Sequence, residues 1–264
     1  MLQAPWLNPI GTPFIELQSV DSTNNYARQL IHAASLPDRQ FFAKHGMVVF
    51  AHEQTGGRGQ RGKIWTSEPG QNIAMSIVIY PATLSLNNQF QLSACTAVAV
   101  HEFFEKYAVD KTFIKWPNDL YWQDRKAGGI LIESVIGNRE PGASSWDWAI
   151  VGIGININQT SFPAWLPNPV SLKQITGSDY KVTVLAKELC EIFQKRYDEL
   201  IHSGFENIFN LYNQHLYKKG ETIKLKKDNR LFQVRIKGVS PAGKLIAEHG
   251  TTEEYVFGET EWVF

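Results

Sequence analysis

The sequence is poor in cysteine, with only Cys95 and Cys190 among 264 residues, and it has no long hydrophobic run. Two cysteines in apolar, helix-like stretches fit neither a disulfide framework nor a zinc site, so we expect buried free thiols in a reducing compartment. No apolar stretch approaches the ~20 residues that a membrane helix needs. The N-terminus also lacks a basic segment followed by an apolar run. The sequence therefore indicates a cytoplasmic protein with no membrane partner.

The chain also lacks an excess of charge, because 26 Lys and Arg residues balance 26 Asp and Glu residues. A broad nucleic-acid-binding surface is therefore not expected, although a local basic loop is compatible with this balance. Apolar residues make up 43% of the chain and aromatic residues 12%. This content and length predict one large packed domain or two unequal ones.

The hydrophobic pattern predicts strands mixed with helices up to about residue 217, followed by a small all-β segment. The predicted strands cover residues 14–20, 47–53, 73–80, 113–116, 129–136 and 146–157. The predicted helices cover residues 23–34, 88–107, 182–201 and 205–216. The segment 138–145 is predicted to be a loop, and about five short strands separated by turns follow residue 220. We therefore expect two domains, 1–217 and 218–264.

Residues 56–65 form a glycine-rich basic loop with the sequence Gly-Gly-Arg-Gly-Gln-Arg-Gly-Lys-Ile-Trp. Glycines allow a backbone to approach a ligand closely. Arg and Lys supply charge-assisted hydrogen bonds to phosphates and carboxylates. The combination predicts a loop that wraps around an anionic ligand. A solvated hairpin is the plain alternative, but hairpin turns need only one or two glycines.

Two familiar phosphate-binding motifs match the residue pattern of this loop but not the structure predicted after it. Residues 57–62 fit the dinucleotide fingerprint G-x-G-x-x-G, and residues 57–63 fit the start of a P-loop. Both templates require a helix directly after the loop, whereas residues 65–70 form a predicted turn. The P-loop also requires Ser or Thr where Ile64 stands. The loop is therefore predicted to bind a phosphate or carboxylate in another way.

Four further segments carry chemically suggestive residues. Residues 21–24 are Asp-Ser-Thr-Asn, and residues 115–119 place Lys and Asp around a rigid proline turn. Lys126 precedes a glycine pair, and residues 152–156 are Gly-Ile-Gly-Ile-Asn within an apolar strand. Glycines inside a strand cost stability and mark the close approach of a ligand. Each segment alone has an ordinary explanation as a turn or a solvated charge.

Taken in this order, the five segments resemble the biotin–protein ligases. The family pattern has Ser-Thr-Asn, Gly-Arg-Gly-x-x-Gly ending in Trp, Lys-Trp-Pro-Asn-Asp, a Lys before Gly-Ile-Leu, and Gly-x-Gly-Ile-Asn. All five occur here between about residues 15 and 160. The resemblance implies an α+β fold: a mixed β-sheet flanked by helices, of the class II synthetase and biotin ligase type. A small SH3-like β-barrel would follow it.

The resemblance further implies a two-step reaction. Biotin and MgATP would give biotinyl-5′-AMP, and the acyl group would then pass to one lysine of a biotin carboxyl carrier domain of a carboxylase. A homodimer paired through the edge of the catalytic sheet is compatible with it. No covalent enzyme nucleophile is required, and the sequence offers no nucleophile–base pair.

The site residues follow from the resemblance, position by position. Ser22, Thr23 and Gln54, with Asn24 beside them, would meet the ureido ring. The loop residues Gly57, Arg58, Gly59, Gln60, Arg61 and Lys63 would frame biotin and its adenylate. Lys126 would lie against the biotin carboxylate and the α-phosphate. Gly129, Gly152 and Gly154 would let strands close on the ligand, and Trp65, Lys115, Asn118, Asp119 and Asn156 would serve the nucleotide side. The predicted catalytic set is Lys126, Arg58, Lys115 and Asp119.

One position departs from the family pattern. Gln60 stands where the family usually has Arg, so either Arg61 compensates for the lost cation or the activated biotin is held less tightly. No protein metal site is predicted: residues 101–105, His-Glu-Phe-Phe-Glu, resemble a zinc helix that lacks its second His. Mg²⁺ held mainly by ATP phosphates, water and one carboxylate would suffice.

Two alternatives remain. A lipoate–protein ligase or octanoyltransferase shares the catalytic fold, but its glycine segment usually has Arg-Arg, consecutive glycines and then His-Asp. A biotin-sensing repressor would need a winged-helix module, whereas only about a dozen residues precede the first predicted strand. We therefore expect no nucleic-acid partner.

Overall fold

The computed structural model describes residues 8–33, 43–81, 84–140 and 143–263. Its strands are β1 (Phe14–Val20), β2 (Val48–Gln54), β3 (Asn72–Ile79), β4 (Thr112–Lys115), β5 (Asp119–Trp122), β6 (Arg125–Glu140), β7 (Ala143–Asn156), β8 (Thr222–Lys227), β9 (Arg230–Val239), β10 (Leu245–His249), β11 (Thr251–Tyr255) and β12 (Glu261–Val263). Its α-helices are α1 (Thr23–Ala33), α2 (Gln89–Ala108), α3 (Leu172–Thr176), α4 (Val182–His202) and α5 (Glu206–Gln214).

Seven strands form the larger sheet, in the order β1-β2-β3-β7-β6-β5-β4. Strands β1 and β2 are parallel, and the other neighbouring pairs are antiparallel. The sheet is therefore mixed, which confirms the predicted fold class. Its two edges are β1 and β4.

Helices cover both faces of this sheet. Consecutive residues of a strand point to opposite sides, so they contact helices on opposite faces. On β2, Val49 packs against α1 in a small apolar cluster that also contains Ile31. The next residue, Phe50, belongs to the main core with Phe103 of α2 and Phe193 of α4. All eight residues of β3 are buried for the same reason.

Five antiparallel strands form the second sheet, in the order β11-β10-β9-β8-β12. The number of strands agrees with the prediction, and an all-antiparallel sheet at the C-terminus is compatible with an SH3-like domain. Leu225, Val234 and Leu245 of this sheet belong to the same buried cluster as the core of the larger sheet. The division into domains 1–217 and 218–264 stays a prediction.

The prediction of a loop over 138–145 was wrong for residues 138–140 and 143–145, and residues 141–142 lie outside the described residues. Strands β6 and β7 continue into this segment, where Gly137 pairs with Ser145 and Asn138 with Ser144. The register shifts between Asn138 and Glu140. A bulge of this kind lets a hairpin accommodate residues that favour turns. Those residues led to the prediction of a loop. The short helix α3 was also missed, although Ser171 and Gln174 form a capping box at its start.

Both cysteines are buried free thiols, as predicted. Burial raises the pKa of Cys190 to about 12 and keeps that of Cys95 above its usual range. Neither thiol therefore forms the nucleophilic thiolate readily. Among the described residues, no helix combines the length and apolar character needed to cross a membrane.

Candidate active site

One cavity of about 960 Å³ gathers nearly all of the predicted site residues. Its lining includes Ser22, Thr23, Asn24, Gln54, Arg58, Gly59, Gln60, Arg61, Lys63, Trp65, Lys115, Asn118, Asp119, Lys126, Gly129, Gly152, Gly154 and Asn156. Gly57 lines an adjoining cavity of about 260 Å³ on the glycine-rich loop. Segments that lie up to 134 positions apart in the chain (Ser22 to Asn156) thus meet at one place.

The glycine-rich loop 56–65 is a small hairpin with one side on the cavity. Arg58 and Ile64 form an antiparallel bridge, and the Gly59 N–H donates to the Lys63 carbonyl at 2.7 Å. A Cβ on Gly57 would come closer to the Trp65 carbonyl oxygen than the 3.0 Å that real Cβ atoms keep. No helix follows the loop, in agreement with the rejection of the two phosphate-binding templates. The loop therefore forms a hairpin and also lines the cavity.

A buried hydrogen-bond network forms one wall, at the start of α1. The Thr23 N–H donates to Gln54 Oε1 at 2.9 Å, and the Thr23 hydroxyl lies 3.2 Å from the same oxygen. The Ser76 hydroxyl lies 2.7 Å from Thr23 Oγ1 and 2.5 Å from Asn24 Oδ1. Such a network fixes the side chains at this wall before any ligand arrives. Ser76 was missed because it lies inside an apolar strand, with no motif around it.

Lys126 and Asp119 form the central ion pair of the cavity. Lys126 Nζ lies 2.7 Å from Asp119 Oδ1, with side-chain exposures of 31% and 23%. The pair meets because β5 and β6 are neighbours and a register shift follows Leu120. A Cβ on Gly129 would lie 3.4 Å from Asp119 Oδ1 and 3.6 Å from Lys126 Nζ. The glycine therefore keeps the space beside the ammonium group open.

Lys115 is the second cation near this pair. Its ammonium lies 3.2 Å from the Tyr121 hydroxyl and 5.4 Å from the centre of the Trp262 ring. Burial lowers the pKa of Lys115 to about 8, Asp119 partly opposes this shift, and the positive charge of Lys126 adds to it. An anion in the cavity would favour the charged form of Lys115.

Arg58 points away from this pair, toward α1 and β6. Its Nη1 lies 3.2 Å from Glu133 Oε1 and donates to Asn25 Oδ1 at 3.0 Å. Glu133 also pairs with Arg28 at 3.1 Å and accepts from Asn24 Nδ2 at 2.8 Å. Glu133 therefore links Arg58 to the polar wall, a role that the strand-like sequence around it does not signal.

The two strand glycines of β7 are closely covered by other side chains. A Cβ on Gly152 would collide with the Asn24 amide, and one on Gly154 with the Trp65 indole. The sequence pattern predicts the close approach of a ligand at both glycines. In the structure they let Asn24 and Trp65 approach the sheet closely, and both glycines also line the cavity.

Asn118 and Asn156 use their amide nitrogens to hold backbone. Asn118 Nδ2 donates to the Ile130 carbonyl, and Asn156 Nδ2 donates to the Val170 carbonyl at 3.1 Å. Both connect segments that carry cavity residues. Their other amide atom, Oδ1, is the one that can face a ligand.

Two segments that carried no signal in the sequence complete the cavity. One is the aromatic and proline-rich stretch of Phe162, Trp165, Leu166, Pro167 and Pro169, and the other is the C-terminal stretch of Phe257, Gly258, Thr260, Glu261 and Trp262. Arg61 connects the glycine-rich loop to the second stretch, because its Nη1 donates to the Gly258 carbonyl at 3.1 Å. Contacts that span about 200 residues cannot be recognised from local patterns.

Among the described cavity-lining residues, the polar atoms buried without a hydrogen-bond partner include Gln60 Oε1, Trp65 Nε1 and Thr260 Oγ1. Buried polar atoms are normally paired, so each such atom calls for an explanation. A ligand with both donor and acceptor groups would pair them. These atoms therefore fit a polar ligand beside the cationic groups.

The family comparison agrees with these geometric findings. The sequence model of the biotin/lipoate A/B protein ligase family matches residues 17–156, which is more than half of the chain. This range contains all five segments on which the resemblance was based.

Individual relatives extend the comparison. Over 209 residues the chain is 34% identical to the bifunctional ligase/repressor BirA of Bacillus spizizenii, covering 78% of this chain and 62% of that protein. It is 29% identical over 236 residues to the biotin–[acetyl-CoA-carboxylase] ligase of Paracoccus denitrificans, covering 87% and 92% of the two chains. The solved structure of the Aquifex aeolicus biotin protein ligase in complex with biotin and ATP is similar with a TM-score of 0.76. That chain is 25% identical, and the match covers 95% of this chain and 98% of that one.

Proposed function

Because this chain belongs to the biotin/lipoate A/B protein ligase family, we propose that it is a biotin–protein ligase. It would activate biotin with ATP and transfer the biotinyl group to a lysine of a biotin carboxyl carrier domain. The observation that carries this proposal is the convergence of all five segments on one cavity with a neutral polar wall and a cationic centre. The names of the Paracoccus denitrificans ligase and of the Aquifex aeolicus structure support the choice of biotin as substrate.

The polar wall suits the biotin ring. A ureido group offers two N–H donors and one carbonyl acceptor and carries no charge, so hydroxyl and amide groups are its natural partners. Ser22 and Thr23 are buried at this wall, and Gln54 lies beside them. Met75, Ile130 and Ile153 supply apolar surface in the same cavity. A bicyclic ring with an aliphatic chain needs this combination.

The cationic centre suits the activation step. A biotin carboxylate oxygen attacks the α-phosphorus of ATP, the bond to the bridging oxygen of the β-phosphate breaks, and pyrophosphate leaves. This step brings two anions together, so fixed cations lower its barrier most where the new charge develops. Lys126 and Lys115 lie at this place in our proposal, and Asp119 keeps Lys126 oriented. Lys63 adds positive charge from the glycine-rich loop, whereas the charge of Arg58 is matched by Glu133.

The transfer step needs no further catalytic group on the enzyme. The uncharged amine nitrogen of the acceptor lysine attacks the acyl carbon of biotinyl-5′-AMP and loses one proton to solvent. The bond between that carbon and the phosphate oxygen breaks, and AMP leaves with its electron pair. In this account, residues 1–217 carry the chemistry, and the stretch 257–262 of the C-terminal domain helps to enclose the activated intermediate.

The cavity also fits a magnesium ion bound mainly to the nucleotide. Mg²⁺ prefers oxygen ligands and usually takes one or two carboxylates together with substrate phosphates. Asp119 offers Oδ2, because the contact with Lys126 is made through Oδ1. When bound, the ion would neutralise phosphate charge. The protein groups would hold and orient the reacting anions.

A direct comparison of biotin with lipoate tests the proposal. The purified protein would be incubated with MgATP, an apo carrier domain and equal concentrations of both acids, and the attached acyl group would be identified by mass spectrometry. We expect transfer of biotin alone, because lipoate has no ureido group to pair with the polar wall. Preferred transfer of lipoate would move the chain to the lipoate branch of the family.

A further inference from the structure

A second cluster of chemically active side chains lies outside the cavity, on α2 and after α5. It consists of His101, Glu105 and His215, each of which offers one ligand atom within 4.8 Å of the other two. The helix motif at 101–105 lacks a second histidine in sequence, but the fold supplies one from position 215. We propose that these three side chains bind a divalent transition-metal ion such as Zn²⁺ or Co²⁺.

The orientation of His101 supports this proposal. Its Nε2 lies 2.9 Å from the Thr112 carbonyl oxygen, which can only accept a hydrogen bond. Nε2 therefore carries the proton, and the lone pair is on Nδ1. Nδ1 faces Glu105 Oε2 at 3.9 Å, too far for a hydrogen bond. A backbone carbonyl that fixes the tautomer of a histidine is the usual outer partner of a metal ligand.

The spacing requires only a small closure around the ion. Zn²⁺ bonds of about 2.0–2.2 Å in a tetrahedron place ligand atoms about 3.4 Å apart. From within 4.8 Å, each pair would have to approach by about 1.4 Å or less. The Glu105 side chain is 43% exposed, so it can make this movement and leave an entry path for the ion. Two imidazoles and one carboxylate favour Zn²⁺ or Co²⁺ over Mg²⁺ or Ca²⁺.

The place of the cluster suggests a structural role. His101 Nε2 donates to the carbonyl of Thr112, the first residue of β4. The His215 carbonyl accepts from the Ile114 N–H of the same strand. Lys115 is the next residue in the chain. A metal ion bound by His101, Glu105 and His215 would therefore connect α2 to the end of α5, across the strand that carries Lys115. This inference does not depend on the proposed substrate.

Cobalt titration of the full-length, tag-free protein after removal of metals by EDTA tests the inference. We expect one Co²⁺ per chain, with the visible absorption bands of four- or five-coordinate Co²⁺ and displacement by Zn²⁺. H215N and E105Q should each bind Co²⁺ at least about tenfold more weakly, since even outer partners of a ligand contribute that much. H249N removes an exposed imidazole on β10 and should bind as the parent does.

Thermal unfolding gives a second readout that needs no activity. Saturation with Zn²⁺ at about a hundred times its Kd should raise the Tm of the parent by about 5–10 °C. The Tm of H215N should not change with Zn²⁺. Absence of Co²⁺ bands in the parent, or equally tight binding by H215N, would overturn the inference. His101 is left unchanged because it is buried in the core.

Discussion

Replacement of Lys126 by alanine should slow adenylate formation by about a hundred- to a thousandfold. At an effective dielectric constant of about 20, a unit charge about 4 Å from a developing anion contributes about 4 kcal/mol. That energy corresponds to about three powers of ten in rate. Loss of one preorganised donor costs about 10²- to 10³-fold in measured cases, which sets the lower end of the range.

The same substitution should hardly affect folding. Lys126 Nζ contacts Asp119 Oδ1 at 2.7 Å, but both side chains keep access to solvent. Ion pairs with such access contribute about 0–1 kcal/mol to stability. We therefore expect K126A to lose about 1 kcal/mol of unfolding free energy at most. Urea unfolding would measure this change separately from the rate.

The assay is single-turnover formation of biotinyl-5′-AMP from biotin and radiolabelled MgATP. K173A is a matched control, because Lys173 Nζ also lies 2.7 Å from a carboxylate, that of Asp179, outside the cavity lining. Its rate should equal that of the parent. A folded K126A protein with a rate within about threefold of the parent would refute the electrostatic argument. An equal loss in K173A would show that the effect is not specific to the cavity.

Three further variants test other parts of the site. Because the pKa of Lys115 is lowered to about 8, its positive charge is lost as pH rises through that value. The kcat/KM for adenylation, which reports the free enzyme, should therefore fall above pH 8 in the parent but not in K115R, and parallel pH profiles would contradict this. Gln60 adds no charge, and its Oε1 is buried without a partner among the described residues. Q60R adds a positive charge and should therefore slow the release of biotinyl-5′-AMP. An unchanged or faster release rate would contradict this. G152A should destabilise the fold by about 1–3 kcal/mol through collision with Asn24. In G56A the new Cβ would lie 3.4 Å from its nearest neighbour, so urea unfolding should detect little change.

The sequence was sufficient to predict features that are local in the chain. The strand over 14–20 and the helix after Ser22 follow from short-range pattern and turn chemistry. The five site segments are local for the same reason, because each needs its residue types in a fixed order. The glycine-rich loop did not fit the two familiar templates, since the residue pattern after it predicts a turn.

Features that depend on distant contacts were not predictable. Glu133 and Ser76 act through partners on other elements, and nothing in their own strands marks them. The contact of Arg61 with Gly258 joins residues almost 200 positions apart. The continuation of β6 and β7 past residue 138 depends on strand pairing rather than on local preference. The second histidine of the proposed metal cluster was hidden in the same way.

Mass spectrometry of an intact biotin carboxyl carrier domain tests the central claim most directly. The domain would be incubated with the purified protein, biotin and MgATP, and then analysed whole and after proteolysis. We predict one added biotinyl group on a single lysine, dependent on both biotin and ATP and absent with K126A. An unmodified carrier domain in the presence of the folded parent protein would contradict the account.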